Sequence, residues 1–135
     1  MIYQNNMEIK CIITDDEPIA RKGLRRHIGK IDFLTIVGEC EDAIQLNNML
    51  NSVQADLLFL DIEMPDMNGL ELAKEVRKRD AKALFVFLTS YTRYVMEVFE
   101  VITFDYISKP ITFEKIESVL LKAMNYLNMI KQDFV

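Results

Sequence analysis

The chain has 135 residues, 50% hydrophobic and 27% charged, which suffices for one globular domain and is too small for two with good cores. Sixteen Lys and Arg against twenty-one Asp and Glu give a net charge of −5, without the overall basic footprint of a nucleic-acid binder. Cys11 and Cys40, each inside an apolar stretch, exclude a disulfide scaffold and a zinc site, and runs such as LLFL and ALFVFL are too short to span a membrane. The opening MIYQNNMEIK has no basic stretch followed by an apolar one, so no secretory signal is read and a cytosolic compartment is expected.

In chain order, IKCIIT over 9–14 is the first predicted strand. Pro18 then opens a helix at its first position, with Asp16 or Glu17 as cap and Ala20, Leu24 and Ile28 on one face. Gly23 weakens that helix by about 1 kcal/mol relative to Ala. A second strand, LTIVGEC over 34–40, leads to a helix carrying Ala43, Leu46, Leu50 and Val53. A third, DLLFLD over 56–61, precedes a helix that begins after Asn68-Gly69 and carries Leu70, Ala73 and Val76. ALFVFLTS over 83–90 is the fourth strand, followed by a predicted helix over about 93–102. FDYISK over 104–109 is the fifth, and a last helix carries Ile116, Leu120, Met124 and Leu127 to about residue 130.

These strands are four to eight residues long and continuously apolar rather than alternating, as strands buried on both faces are. Strand and helix alternating throughout predict an α/β fold, a parallel sheet covered on both faces. A ligand site in such a sheet lies at the carboxyl ends of the strands.

The first strand ends in Thr14-Asp15-Asp16-Glu17 and the third in Leu60-Asp61-Ile62-Glu63. Those ends share one edge, so Asp15, Asp16 and Asp61 should converge. Carboxylates crowded together repel, which raises their pKa values or recruits a cation. Hard oxygen ligands suit Mg²⁺. The fourth strand ends in Thr89-Ser90 and the fifth in Lys109-Pro110, adding a hydroxyl and an ammonium to the same edge. Such a set can stabilise a transferring phosphoryl group, and a carboxylate can itself be the nucleophile. Taken singly, a strand-end Asp is a cap or turn residue, a strand-end Thr is structural and Lys-Pro is a turn. Their recurrence at successive strand ends is what argues for a site.

The ordered motifs resemble the receiver domains of bacterial two-component response regulators. They are Asp15-Asp16, LDIEMPDMNG around Asp61, Thr89, and Tyr106-Ile107-Ser108-Lys109-Pro110, over a match from about Glu8 to about Ile130. TDDEPIAR and YTRYVMEVFEVITFDYISKP look most like the LytR/AlgR type. The resemblance implies a doubly wound, flavodoxin-like sheet of order 2-1-3-4-5. It implies a leader over 1–7, a receiver over 8–131, and a tail over 132–135 leading to a LytTR-type DNA-binding domain absent from this chain. On that last point the chain reads as either an excised or a stand-alone receiver, the excised form being favoured.

Position by position, the resemblance makes Asp61 the phosphoacceptor. Asp16 is then the main Mg²⁺ ligand, Asp15 a direct or water-mediated partner, and Glu63 a ligand through its backbone carbonyl. Thr89 and Lys109 should each hold a phosphoryl oxygen, and Tyr106 is the switch aromatic. The Lys109–Pro110 bond should be cis, although sequence alone favours trans. The flanking Glu63 and Tyr91 should tune how water reaches the acyl phosphate. A sensor histidine kinase is the implied donor, with self-phosphorylation and slow self-hydrolysis the only catalysis.

Other features weigh less. Arg21, Lys22, Arg25, Arg26 and Lys30 read as a solvated basic face that can also dock a kinase, and direct nucleic-acid or membrane binding is not expected. His27, the single histidine, reads as a surface residue in preference to a phosphodonor. In the helix over 93–102, Tyr94, Val95, Val98, Phe99 and Ile102 fill one face, leaving Met96 and Val101 for others. That surplus suggests a partner surface, a homodimer face shared with the fifth strand and the last helix, and a helix well buried by its neighbours would read equally well. The rival readings are a pseudo-receiver that pairs without phosphorylation, an aspartyl phosphatase and a flavodoxin-like redox protein. An intact acidic set argues against the first. Ile62-Glu63, where a phosphatase favours Asp-x-Asp, argues against the second, and the lack of a Gly/Ser/Thr-rich phosphate loop after the first strand against the third.

Overall fold

In the computed structural model the described residues are 8–65, 67–80, 82–90 and 104–133. The expected leader over 1–7, Tyr91 and the predicted helix over 93–102 lie outside them. The strands are β1 (Ile9–Thr14), β2 (Leu34–Cys40), β3 (Leu57–Asp61), β4 (Leu84–Thr89) and β5 (Asp105–Ser108). The helices are α1 (Pro18–Ile28), α2 (Ala43–Met49), α3 (Gly69–Arg79) and α4 (Phe113–Asp133). All strand pairs are parallel, in the order β2-β1-β3-β4-β5.

Burial follows position in the sheet. Every residue of β3 and β4 is buried, whereas β2 and β5, at the edges, are mostly half-buried. Successive side chains point to opposite faces, so each central strand feeds two cores. Phe59, Val86 and Leu88 pack with Leu24 and Ile28 of α1 and Ile116 and Leu120 of α4. Leu58, Leu60, Phe85 and Phe87 pack with Ala43 and Leu46 of α2 and Leu72, Ala73 and Val76 of α3. Cys11 and Cys40 are free thiols buried in these cores, pushed up by burial to about 12 and about 11.

Local chemistry sets the helix ends. Pro18 opens α1 behind Glu17, whose side chain makes no capping bond. Asp42 caps α2 by accepting from Gln45 N at 2.8 Å, and Asn68 caps α3 by accepting from Leu70 N at 2.6 Å. α2 is shorter than its apolar pattern suggests, because the chain turns through Asn51 and Ser52 while Leu50 and Val53 still pack on the same core. α4 runs on through Asp133, past the expected start of a tail at 132.

Gly69 fixes the loop that leaves β3. Its N–H donates to the Ile62 carbonyl at 3.0 Å, and any Cβ there would collide with the Asp61 backbone carbonyl. Gly69→Ala should therefore destabilise the fold by about 1–3 kcal/mol, an overpacking cost with backbone on the receiving side. Urea unfolding checks this, and an unchanged midpoint would show that the loop gives way freely.

Candidate functional site

The sheet order brings the strand ends to one edge. Thr14 pairs with Leu60, Asp61 with Leu88, and Thr89 with Ser108. Hydrogen bonds then tie the loops: Asp15 N donates to Cys40 O at 3.1 Å, Ile62 N to Leu88 O at 3.0 Å, and Lys109 N to Thr89 O at 2.8 Å. Asp15, Asp61 and Thr89 are buried with 1–2% of their surface exposed, while Asp16 is half-buried. Carboxylate oxygens of Asp15, Asp16 and Asp61 lie within 4.8 Å of one another.

Burial of like charges dominates the electrostatics. Burial, and then the Asp15 carboxylate, push Asp61 up to about 7, against the pull of Lys109 and the Glu63 N–H. Burial likewise raises Asp15, against the Glu17 N–H, which donates to Asp15 Oδ1 at 2.9 Å. Burial works against the Lys109 ammonium, but Asp61, Asp15 and Glu63 outweigh it and hold that group above its ordinary value. Lys109 Nζ stands 3.2 Å from Asp61 Oδ1, which also accepts from Glu63 N at 3.0 Å. A cluster of hard oxygen donors that repel one another fits a divalent cation such as Mg²⁺.

The Glu63 side chain turns toward the same edge. Thr89 Oγ1 donates to Glu63 Oε2 at 2.6 Å, Ser90 N donates to Oε1 at 3.2 Å, and Lys109 Nζ is 3.7 Å from Oε1. The sequence implies a role in the site for the Glu63 backbone and puts its charge nearby. The spacing from Asp61 gave a signal of proximity but none of side-chain direction.

Tyr106 is half-buried and packs against the core that holds α2 and α3. The Lys109–Pro110 bond is cis. Lys115 Nζ donates to Ser108 O at 2.9 Å, Ser108 Oγ at 3.2 Å and Pro110 O at 3.0 Å, pinning the segment that carries Lys109 to α4.

The basic stretch of α1 is only partly a solvated face. Arg21 donates to the Asp15 carbonyl at 2.6 Å, and Arg25 grips Glu39 with two bonds of 2.6 and 2.8 Å. The Arg25 hydrogen bond holds the Glu39 carboxyl below its ordinary value. His27 is half-buried rather than on the surface, with its ring centroid 6.4 Å from that of Phe113.

A family model described as the response regulator receiver domain matches residues 11–121. The transcriptional regulatory protein BtsR of Salmonella typhi is 39% identical over 112 residues, 83% of this chain and 46% of BtsR. The sensory transduction protein LytR of Staphylococcus haemolyticus is 32% identical over 120 residues, 89% of this chain and 47% of LytR. The chain thus spans about half the length of the curated relatives it matches. Among solved structures, the REC domain of AraT, a response regulator from Geobacillus stearothermophilus, superposes with a TM-score of 0.83 at 31% identity, covering 93% of this chain and 99% of that one.

The raised Asp61 pKa makes stability depend on pH. With a folded value of about 7 against an ordinary 3.8, the folded state binds more protons than the unfolded state between those values. Stability is therefore lost as pH rises through that window, and the penalty is complete above it. Asp61→Asn removes this titration, so in chelator the variant should gain on the order of 3–4 kcal/mol over wild type between pH 4 and pH 8. Parallel urea-stability profiles for the two proteins would refute that account.

Proposed function

The chain belongs to the response regulator receiver domain family, as a receiver of a two-component system, and on that premise we propose that it is a switch operated by phosphorylation of Asp61. The observation that carries this reading is the buried Asp61 carboxylate with Asp15 and Asp16 beside it and the Lys109 ammonium 3.2 Å away. In the reaction, an Asp61 oxygen forms a bond to phosphorus as the phosphorus–nitrogen bond to a kinase phosphohistidine breaks, and the imidazole leaves with the electron pair. Asp15, Asp16, Asp61 and the Glu63 backbone carbonyl would hold Mg²⁺, which supplies charge neutralisation for the transferring group. Lys109 and the Thr89 hydroxyl then receive phosphoryl oxygens, and slow hydrolysis of the acyl phosphate resets the switch.

Two surfaces support the partners in this reading. Ile19, 85% exposed in the first turn of α1 beside the site, offers an apolar contact to a docking sensor histidine kinase. Leu121, Tyr126 and Met129 are exposed on α4, one of the elements of the homodimer face proposed here with β5 and the helix expected over 93–102. When Thr89 moves toward the phosphoryl group, Tyr106 follows inward and reshapes that face. Shifting such an equilibrium from 1:99 to 99:1 takes about 5.5 kcal/mol of differential interaction. A LytTR-type DNA-binding output domain, outside these 135 residues, and hence transcription regulation, fits the names of the relatives. No helix among the described residues is long and apolar enough to cross a membrane, and a cytoplasmic location is part of the proposal. A pseudo-receiver role has no observation in its favour.

Incubation with acetyl phosphate and Mg²⁺ should add one phosphoryl mass to wild type and none to Asp61→Asn, and Asp16→Ala should lose the Mg²⁺ dependence. Modification of Asp61→Asn at the wild-type rate would overturn the assignment.

The output face has its own measurement. Beryllofluoride should increase self-association in sedimentation runs, and Val101→Glu should reduce it. Equal monomer fractions with and without the mimic would remove that role from the face.

A further inference from the structure

Three donors at the edge of the sheet already hold an anion. The Thr89 hydroxyl, the Ser90 N–H and the Lys109 ammonium converge on the Glu63 carboxylate at 2.6, 3.2 and 3.7 Å. We infer that the Glu63 side chain is a positioning residue that occupies, in the unphosphorylated protein, the donors a phosphoryl group on Asp61 must take. The inference rests on the assignment of Asp61 as phosphoacceptor.

Hydrogen counting makes the two states exclusive. A hydroxyl has one hydrogen, and a carboxylate only accepts, so Thr89 cannot donate to Glu63 and to a phosphoryl oxygen at once. The backbone N–H of Ser90 faces the same choice. Lys109 has three hydrogens and can serve both anions. Loading the site therefore breaks the Thr89–Glu63 bond and brings a dianion close to a carboxylate. Both effects expel Glu63, and its side chain, 22% exposed, has an open side into which it can turn. The residue thus preforms the position of the Thr89 hydroxyl and opposes phosphorylation until the incoming group outcompetes it. Hydrogen bonds to charged groups are the stronger ones, so the opposition is felt in affinity.

The test is titration of wild type, Glu63→Ala and Glu63→Gln with beryllofluoride in excess Mg²⁺, while the Thr89 methyl resonance is followed by NMR. Removing the competitor should tighten binding about tenfold in Glu63→Ala. Glu63→Gln keeps an acceptor oxygen without the charge and should fall between the two. Before any mimic is added, the Thr89 methyl resonance should already be shifted in Glu63→Ala and nearly unmoved in Glu63→Gln. Unaltered or weaker binding in both variants would overturn the inference, and so would an unmoved Thr89 resonance in Glu63→Ala. The isosteric Gln variant carries the affinity test if the Ala variant does not fold. If no protein in the series binds the mimic or is phosphorylated, the assignment of Asp61 fails, while the Thr89 resonance of the free proteins still decides whether Glu63 positions it.

Discussion

The end of β3 places Asp61 where water can barely reach it, with Asp15 beside it, and much of the surrounding structure follows from that burial. A carboxylate buried next to another is raised in pKa and is stable only with compensation. Lys109 supplies part of it, and the acidic set leaves room in its charge balance for a cation. The position of Lys109 depends in turn on β5 pairing with β4 and on Lys115 clasping the carbonyls of Ser108 and Pro110. Charge, strand order and the packing of α4 are thus one problem with one solution.

The reactive groups at the same edge are held in order by one another. Three cations and hydroxyls around the carboxylates have acceptors there: Lys109 meets Asp61 and Glu63, Thr89 meets Glu63, and Arg21 meets the Asp15 carbonyl. Buried polar groups need partners, and here the partners are drawn from within the loops. The arrangement is held in readiness, and a new anion enters it by exchange more than by filling empty space.

The parts of this fold that the sequence reveals are those written in hydrophobic runs. β3 and β4 are continuously apolar because both faces are covered, and their carboxyl-terminal residues, Asp61 and Thr89, mark the site by simple topology. Side-chain direction in loops has no such period. Hence the sequence puts Glu63 near the site but does not reveal its grip on Thr89 and Lys109, and Arg21 looks like a solvated cation although its guanidinium bonds the Asp15 carbonyl in the β1–α1 loop. His27 misleads for a different reason: flanking arginines suggest solvent, but α4 lies against that side and brings Phe113 to the ring. The apolar pattern of α2 overruns its end because Leu50 and Val53 pack like helix residues after the helix has stopped.

The alternation along β4 ties correct folding to chemical competence. Phe85 and Phe87 fill one core, and the smaller Val86 joins Leu88 in the other. A slip of one residue would exchange the two sets, forcing aromatic rings into space shaped for aliphatic ones. It would also move Thr89 out of line with Asp61. A misaligned but comfortable form of the domain is therefore closed to this chain, because the error that would displace Thr89 is the same error that would ruin both cores.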